Sequence, residues 1–371
     1  MKKFVYMDAG ASWLKPQQLI DFQADFLRDS YANAGRGVCV RSACVDDMIS
    51  NSRKVVADFI GANEQNIVFV SGATDGFNRI VNIIKNTIKK KCPVVAVSDL
   101  DHHSARLPWE MCAKKGECKI VVAPLNHRLN IDLNNIPKCD VFVITAMSNV
   151  LGIAQDVKKI IAKAKQKNSN VITIVDAAQY VVHSEFNVKK LDCDFLVFSG
   201  HKIGADTGVG VMYIKNSDYW MPDKFGGGML NRIIGNKIIL NKSPEKFEAG
   251  TLPITQIVAL PCAVKYLSDW DGGRDLLHYI YDELSKISAI TILTQRDAAM
   301  ISFVVKDMHV LDFGVLLGAN NICVRVGNMC ASWIHKKLDI DGSVRISVGP
   351  WNTMDDAVYV VDTIKKLVKL K

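Results

Sequence analysis

Short apolar runs alternate with amphipathic segments over residues 12–250, and each run is followed by polar residues. The runs cover residues 67–70, 94–97, 141–144 and 194–198, and a further one ends at Asp176. Alternating strands and helices predict an α/β chain whose mainly parallel sheet is covered by helices on both faces. Ligands of such sheets bind at the carboxyl ends of the strands, so the polar residues after the runs form the candidate site.

After this alternating region the pattern changes, which indicates a second, smaller domain. A long helix is expected at 256–270, and strands are expected at 299–305 and 343–348. Thr353 and Asp356 have the spacing of a capping box and mark the start of a last helix. A chain of 371 residues with 49% hydrophobic content is long enough to bury a core in each domain.

Two of the run ends carry groups that pyridoxal phosphate requires. Asp176 closes one run, and Ser199-Gly200-His201-Lys202 closes a later one. Pyridoxal phosphate holds its aldehyde on a lysine amine as a Schiff base, and a carboxylate keeps its pyridine nitrogen protonated so that the ring accepts electrons. Each motif alone has a second interpretation, because Lys202 also fits a solvated loop and Asp176 also fits the start of a helix.

The other run ends add groups that suit the same cofactor. Ala73 and Thr74 lie where a strand turns into a helix, and the free N–H groups of a helix N-terminus bind phosphate. His102 follows the run at 94–97 and would place a flat imidazole against a pyridine ring. Asn149 follows the run at 141–144 and supplies an amide for the ring hydroxyl.

With these motifs in this order, the chain resembles the cysteine desulfurases and selenocysteine lyases, which belong to the class V aminotransferase group of fold-type I pyridoxal-phosphate enzymes. The matching segments include 6–8, 175–179, 191–202, 207–210, 345–347 and 351–353. The resemblance implies a large cofactor-binding domain at 12–250 with a mainly parallel seven-stranded sheet. It also implies a smaller α+β domain formed by residues 1–11 and 251–371.

The resemblance assigns a role to each site residue. The implied cofactor contacts are Lys202 on the aldehyde carbon, Asp176 on the pyridine nitrogen, His102 stacked on the ring, Gln179 and Asn149 on the ring oxygen, and Ala73, Thr74, Ser199 and His201 on the phosphate. Thr251 resembles the threonine that one subunit lends to its partner's phosphate site, which implies a homodimer with shared active sites. Arg345 resembles the arginine that binds the substrate carboxylate through two parallel hydrogen bonds, with Asn149 and Arg325 nearby. His103 competes with His102 as the ring-stacking and proton-carrying histidine, and only the family alignment separates them.

Cys330 decides which reaction the resemblance implies. It lies in Gly327-Asn328-Met329-Cys330, which resembles the short loop of the group II branch, so L-cysteine would yield L-alanine and a persulfide on Cys330. A nearby cation such as Arg325 favours the thiolate that this chemistry needs. Relatives of this branch pass the sulfur to a small acceptor protein for iron-sulfur cluster or thio-cofactor synthesis. The other interpretation of Cys330 is a packing residue, as free cysteines usually are.

The chain departs from the family pattern around the expected site. Asn328 and Met329 stand where relatives often carry histidines, and Gly35 and Cys39 replace histidines near the amino end. These changes leave open the choice between cysteine and selenocysteine. Two further readings stay open: another class V enzyme, such as an aminotransferase or epimerase, in which Cys330 is incidental, and a non-catalytic homologue. The sequence does not indicate which acceptor or pathway receives the sulfur.

Composition and charge argue against several other classes of protein. The net charge of +8 comes from lysines that alternate with apolar residues in helical stretches, which is typical of solvated helix faces and not of a nucleic-acid patch. No apolar run approaches the ~20 residues of a membrane span, and no paired-cysteine spacing suggests a metal site. Ten cysteines without a secretory segment predict a reducing, cytoplasmic compartment.

Overall fold

The computed structural model describes residues 4–35 and 37–369. The strands, in chain order, are β1 (Val5–Tyr6), β2 (Ile67–Val70), β3 (Val94–Ser98), β4 (Lys119–Ala123), β5 (Val141–Thr145), β6 (Ile172–Asp176), β7 (Phe195–Ser199), β8 (Gly210–Ile214), β9 (Leu230–Ile234), β10 (Lys237–Leu240), β11 (Ile290–Ile292), β12 (Ile301–Val305), β13 (Ile322–Cys323), β14 (Arg325–Gly327) and β15 (Ser343–Ile346). The helices are α1 (Gln17–Asp25), α2 (Val40–Ile60), α3 (Ala73–Thr87), α4 (His103–Lys114), α5 (Val157–Lys167), α6 (Tyr180–His183), α7 (Val188–Leu191), α8 (Ile254–Val258), α9 (Leu260–Ser268), α10 (Arg274–Leu284), α11 (Val310–Ala319), α12 (Ser332–Lys337) and α13 (Met354–Lys369). Residues 1–3 and 370–371, which the expected smaller domain includes, lie outside the described residues.

Within the described residues, the largest sheet has seven strands in the order β2-β8-β7-β6-β5-β3-β4. The strands from β7 through β4 in this order pair in parallel, and β8 is antiparallel to both β7 and β2. In β5, Val141 and Val143 pack into one core, while Phe142 and Ile144 pack into the core on the opposite face. Burial on both faces explains the continuous apolar runs. The predicted α/β fold with a mainly parallel seven-stranded sheet is confirmed.

Helices cover both faces of this sheet. Helices α2, α5, α8 and α9 contribute to one core, and α3 and α4 contribute to the other. Helix α2 ends where Gly61 adopts a left-handed φ of 70°, a conformation that glycine takes without steric cost. None of the helices among the described residues is long and apolar enough to cross a membrane.

A second sheet, with strand order β11-β12-β15-β14, is antiparallel and lies in the carboxyl-terminal part of the described chain. Its own core includes residues of α10, α11 and α13. Strand β1 pairs in parallel with β13, which attaches the amino-terminal segment to this part of the molecule. The predicted capping box forms at the start of α13, where Thr353 N donates to Asp356 Oδ2 at 3.0 Å and Asp356 N donates to Thr353 Oγ1 at 3.3 Å.

Two segments differ from the sequence prediction. The single helix expected at 256–270 is wrong, because the chain forms α8 and α9 with a break before Pro261, whose ring occupies the first turn of α9. Residues of α8 and α9 lie in the same hydrophobic core as residues of α2, which belongs to the expected large domain. The domain boundary expected at residue 251 stays a prediction. The hairpin formed by β9 and β10 was not anticipated. Its apolar residues, such as Ile233 and Ile238, are exposed in the single chain. The hairpin therefore lacks the alternation of apolar and polar residues by which a half-buried strand is recognised in a sequence.

Candidate active site

A cavity of about 150 Å³ opens at the carboxyl ends of β5, β6 and β7. The predicted cofactor residues that line it are Ala73, Thr74, His102, Asn149, Asp176, Gln179, Ser199, His201 and Lys202. The parallel register brings strand ends together that are far apart in sequence, since Asp176 of β6 pairs with Val197 of β7. Thr251 lies elsewhere in the chain and lines a separate cavity of about 860 Å³.

Asp176 and Lys202 have strongly perturbed acid–base properties. Burial raises the pKa of Asp176 to about 6, and the nearby Asp101 carboxylate adds to the shift. Burial lowers the pKa of Lys202 to about 7, and the positive charge of Arg345 lowers it further. A substantial fraction of the Lys202 amine is therefore neutral near pH 7, and the neutral amine is the form that attacks an aldehyde. Its Nζ donates a hydrogen bond of 2.5 Å to the backbone oxygen of Gly10.

Two helix N-termini border the cavity. Ala73 N, at the start of α3, donates to Ser199 Oγ at 2.8 Å, which ties the helix to the end of β7. Thr74 Oγ1 and Ser104 Oγ, from the first turns of α3 and α4, are 2.7 Å apart. Backbone N–H groups and the positive end of the helix dipole favour an anion at this end of the cavity.

His102 and His103 occupy different surroundings. His102 lines the cavity, whereas His103 lines a groove between α3 and α4. Burial lowers the pKa of His102 to about 4, assisted by the charge of Lys202. Its Nδ1 accepts a hydrogen bond from Ser104 N at 3.1 Å, so the neutral ring carries its proton on Nε2. The geometry thus separates the two histidines, which the residues alone did not.

Arg345 is buried beside the cavity and belongs to a charged cluster. Its Nη1 donates to the backbone oxygen of Asn149 at 2.7 Å, and its Nη2 donates to Asp8 Oδ1 at 3.1 Å. Arg325 Nη2 donates to the other Asp8 oxygen at 2.5 Å, so Asp8 lies between two guanidinium groups. Among the described residues, Arg345 Nε and Asn149 Oδ1 are buried without a hydrogen-bond partner. Unpartnered buried polar atoms are rare, and Asn149 lines the cavity, so its Oδ1 fits a polar ligand there.

Cys330 lies on the short loop between β14 and α12 and is exposed. Met329 and Cys330 both adopt left-handed backbone conformations, with φ of 49° and 53°, which are uncommon for residues other than glycine. Asn149 Nδ2 donates to Met329 O at 2.7 Å, and His103 N donates to Cys330 O at 2.7 Å. The loop is therefore tied directly to residues that follow β5 and β3.

The remaining cysteines divide by burial. Those that are buried or partly buried are Cys92, Cys112, Cys118, Cys139, Cys193, Cys262 and Cys323. Burial raises the pKa of both Cys139 and Cys193 to about 12, so these thiols stay protonated at neutral pH. Cys39 and Cys44 are exposed like Cys330, and none of the three lines the cavity, but the Cys330 loop is hydrogen-bonded to the cavity residue Asn149.

Gly10 and Asp8, which contact predicted site residues, were missed from the sequence, as were the cavity-lining residues Ser104, Thr145, Met147 and Ala178. The backbone oxygen of Gly10 accepts hydrogen bonds from Lys202 Nζ and from Gln179 Nε2, the latter at 2.7 Å. A Cβ at Gly10 would lie 2.9 Å from Arg345 Cζ, so only glycine fits there without a shift. Asp8 accepts hydrogen bonds from both Arg325 and Arg345. The segment at 6–8 matched the family, but a backbone oxygen has no side-chain signature by which a sequence reveals it.

Comparisons with known proteins agree with this architecture. Residues 5–360 match the family model described as aminotransferase class-V. Cysteine desulfurases of Shigella flexneri and Escherichia coli are each 32% identical to this chain, over 98% of its length and 93% of theirs. The solved apo cysteine desulfurase of Thermococcus onnurineus NA1 is 30% identical, covers 99% of this chain and 95% of its own, and superposes with a TM-score of 0.93. A solved Escherichia coli cysteine desulfurase is 27% identical over the same shares and has a TM-score of 0.90.

Proposed function

The chain belongs to the aminotransferase class-V family, within its cysteine desulfurases, and we propose that it is a pyridoxal-phosphate enzyme that removes sulfur from L-cysteine. The products are L-alanine and a persulfide on Cys330. The observation that carries the proposal is the position of Cys330, which is exposed on a loop tied to Asn149 and His103 at the rim of the cavity that contains Lys202 and Asp176. An aminotransferase or epimerase has no use for a thiol at this rim.

The residues present fit the cofactor. Lys202 would hold the aldehyde end, Asp176 the pyridine nitrogen, and the N-termini of α3 and α4 the phosphate. When bound, pyridoxal phosphate supplies an electron sink for the bonds at the substrate α-carbon. The unpartnered Asn149 Oδ1 supports this assignment, because Asn149 lines the cavity and its amide oxygen would gain a partner from a bound ligand.

The chain's own residues divide the reaction among them. Arg345 binds the substrate carboxylate, and the neutral Lys202 amine removes the α-proton. The Cys330 thiolate attacks the substrate sulfur, so that an S–S bond forms as the C–S bond breaks. The electron pair of the broken bond stays with the carbon, which takes up a proton to give alanine. His102, neutral near pH 7, lies close enough to Lys202 for the charge of that amine to lower its pKa, and it is the candidate proton carrier.

The pH dependence of cofactor loading tests the environment of Lys202. When pyridoxal phosphate is added to cofactor-free protein, we expect the yellow colour of its Schiff base with lysine to form at a rate that rises as pH increases through about 7 and then levels off. The sign follows from the lowered pKa, because the reactive neutral amine predominates above about pH 7 and not only above 10.5. Stopped-flow absorbance measures the rate, and Nα-acetyl-lysine in the same buffers corrects for titration of the cofactor itself. A rate that keeps rising towards pH 10.5 contradicts the prediction.

Arg345→Lys tests the substrate carboxylate site. We expect the KM for L-cysteine to rise about 10- to 100-fold while the cofactor colour is retained, because lysine cannot make two parallel hydrogen bonds to a carboxylate. Steady-state kinetics and the absorbance spectrum give the two readouts. Arg296→Lys is the matched control, since Arg296 forms a surface ion pair with Asp282 and should leave both readouts unchanged. An unchanged KM for Arg345→Lys would remove Arg345 from the substrate site.

The reaction itself is tested with the wild-type protein. Loaded with pyridoxal phosphate and supplied with L-cysteine and a reductant, it should release alanine and sulfide in equal amounts. L-selenocysteine in a parallel assay measures the preference between the two substrates. Turnover of selenocysteine without turnover of cysteine would favour a selenocysteine lyase. Transfer of an amino group to a 2-oxo acid without sulfide release would instead favour an aminotransferase. A protein that never becomes yellow would favour the non-catalytic homologue.

We infer that the enzyme is a homodimer in which Thr251 completes the partner's phosphate site. The segment that carries Thr251 is anchored by Glu248, which accepts hydrogen bonds of 2.8 and 2.9 Å from Arg53. The exposed apolar residues of the β9–β10 hairpin, including Ile233 and Ile238, support contact with a second chain. Sedimentation equilibrium should give the mass of two chains.

The sulfur would leave Cys330 for a small acceptor protein, in iron-sulfur cluster or thio-cofactor synthesis. A short, tied loop cannot carry the persulfide far, so the acceptor must approach the exposed rim. Ten cysteines suit the reducing cytoplasm, which is the compartment we propose.

A further inference from the structure

His103 makes contacts on two sides of the Cys330 loop. Its backbone N–H donates to Cys330 O at 2.7 Å, and its ring Nε2 accepts from Ser332 N at 3.1 Å. The Ser332 hydroxyl oxygen lies 3.1 Å from the same ring nitrogen. Cys330 itself and Ser332, two positions further on, are thus both bonded to one histidine, which stands 227 positions earlier in the chain than Cys330.

The protonation state of His103 follows from these contacts. A ring nitrogen that accepts a backbone N–H cannot itself carry a proton, so the neutral ring bears its proton on Nδ1. Burial lowers the pKa of His103, which favours this neutral form. The ring also packs edge-on against Trp333 at 5.2 Å between centroids, and Arg106 lies 4.1 Å above the Trp333 ring. The imidazole is therefore held in one orientation.

The loop needs such an anchor. Met329 and Cys330 are in successive left-handed conformations, which persist only where surrounding contacts hold them. The hydrogen bond from Asn149 to Met329 O holds the preceding residue, and His103 holds the residues at and after Cys330. Without the acceptor at His103 Nε2, the Ser332 N–H loses its hydrogen-bond partner, and we expect Met329 and Cys330 to leave their left-handed conformations.

We propose that His103 is a positioning residue for sulfur transfer, which fixes the Cys330 thiol relative to the cofactor face through its hydrogen bonds to Cys330 and Ser332. The adjacent His102 lines the cofactor cavity, so the first turn of α4 sets the position of both the ring-facing group and the nucleophile loop. The effect on sulfur transfer rests on the proposed function, in which Cys330 accepts the sulfur. The anchoring itself does not depend on which reaction Cys330 performs.

A pair of substitutions isolates the acceptor. His103→Gln retains an amide oxygen near the position of Nε2, whereas His103→Leu fills similar space against Trp333 without an acceptor. We expect His103→Leu to lower kcat for sulfide release about 10- to 100-fold with KM for L-cysteine and cofactor colour unchanged, because a small misplacement of a reacting group has an effect of this size. His103→Gln should stay within about threefold of wild type. His127→Ala, in an exposed turn, is the matched control.

Hydrogen–deuterium exchange gives a readout independent of activity. The peptide that contains Ser332 should exchange faster in His103→Leu and at the wild-type rate in His103→Gln and His127→Ala. Should His103→Leu fail to fold, His103→Asn replaces it, because its shorter side chain keeps an amide that does not reach Ser332. Equal kcat and equal exchange for the Gln and Leu variants would overturn the proposal. If Cys330 proves dispensable for turnover, the proposed function fails, but the exchange difference still decides whether His103 anchors the loop.

Discussion

Lys202→Ala is expected to bind pyridoxal phosphate without the yellow colour of a Schiff base and to lower turnover by at least about 10²–10⁴-fold. The reason is that Lys202 lines the cavity next to Asp176, and burial together with Arg345 lowers its pKa to about 7. It is therefore our candidate both for the amine that holds the aldehyde and for the base that removes the α-proton. Absorbance spectra and the sulfide assay measure the two effects.

Borohydride reduction sharpens the test of Lys202. Reduction of the wild-type holoenzyme should place the phosphopyridoxyl group on the peptide that contains Lys202, as mass spectrometry of a digest will show. Lys163→Ala, a substitution of an exposed lysine on α5, should behave as wild type. Retention of the colour in Lys202→Ala, or a label on another lysine, would reassign the cofactor lysine.

Much of the cavity was predictable from the sequence because its side chains follow strands that are buried on both faces. The continuous apolar run before Asp176 and the one before Ser199 fix where each strand ends, and parallel pairing then brings the two ends to the same edge. Local helix signals were equally informative. Thr353 caps α13 because its hydroxyl oxygen accepts from the Asp356 N–H at the start of the helix, as the spacing of the two residues predicts.

The contacts that complete the site were not predictable in this way. The Gly10 oxygen acts through its backbone, and Asp8 meets Arg325 and Arg345 only because β1 pairs with β13. His103 likewise contacts Ser332 only after the two sheets have come together. Sequence patterns report local burial and periodicity, whereas these contacts are between segments that are remote along the chain. The break between α8 and α9 was a local feature misjudged, since a helix tolerates proline in its first turn but not in its interior. The exposed apolar β9–β10 hairpin was another.

Cys330→Ala is expected to reduce sulfide release to the background of free cofactor while leaving the yellow colour intact. Sulfide release and colour should respond differently, because Cys330 lies on the loop between β14 and α12 and does not line the cavity that contains Lys202 and Asp176. Cys44→Ala, which removes another exposed thiol, should leave both colour and turnover unchanged. Normal turnover by Cys330→Ala would refute the persulfide mechanism and favour an enzyme in which this cysteine is incidental.

A single turnover without reductant identifies the sulfur-carrying residue directly. Wild-type enzyme given L-cysteine should gain the mass of one sulfur atom on the peptide that contains Cys330, and alkylation should trap it there. The buried thiols of Cys139 and Cys193 should stay unmodified, because burial raises the pKa of both and keeps them protonated and inaccessible. Since Asn328 and Met329 stand where relatives often carry histidines, alanine in excess of the persulfide on Cys330 would show that another thiol, such as that of free L-cysteine, accepts the sulfur as the C–S bond breaks. Equal yields of alanine and persulfide would show instead that Cys330 accepts the sulfur without a histidine at positions 328 and 329, with His103 as the histidine that contacts this loop.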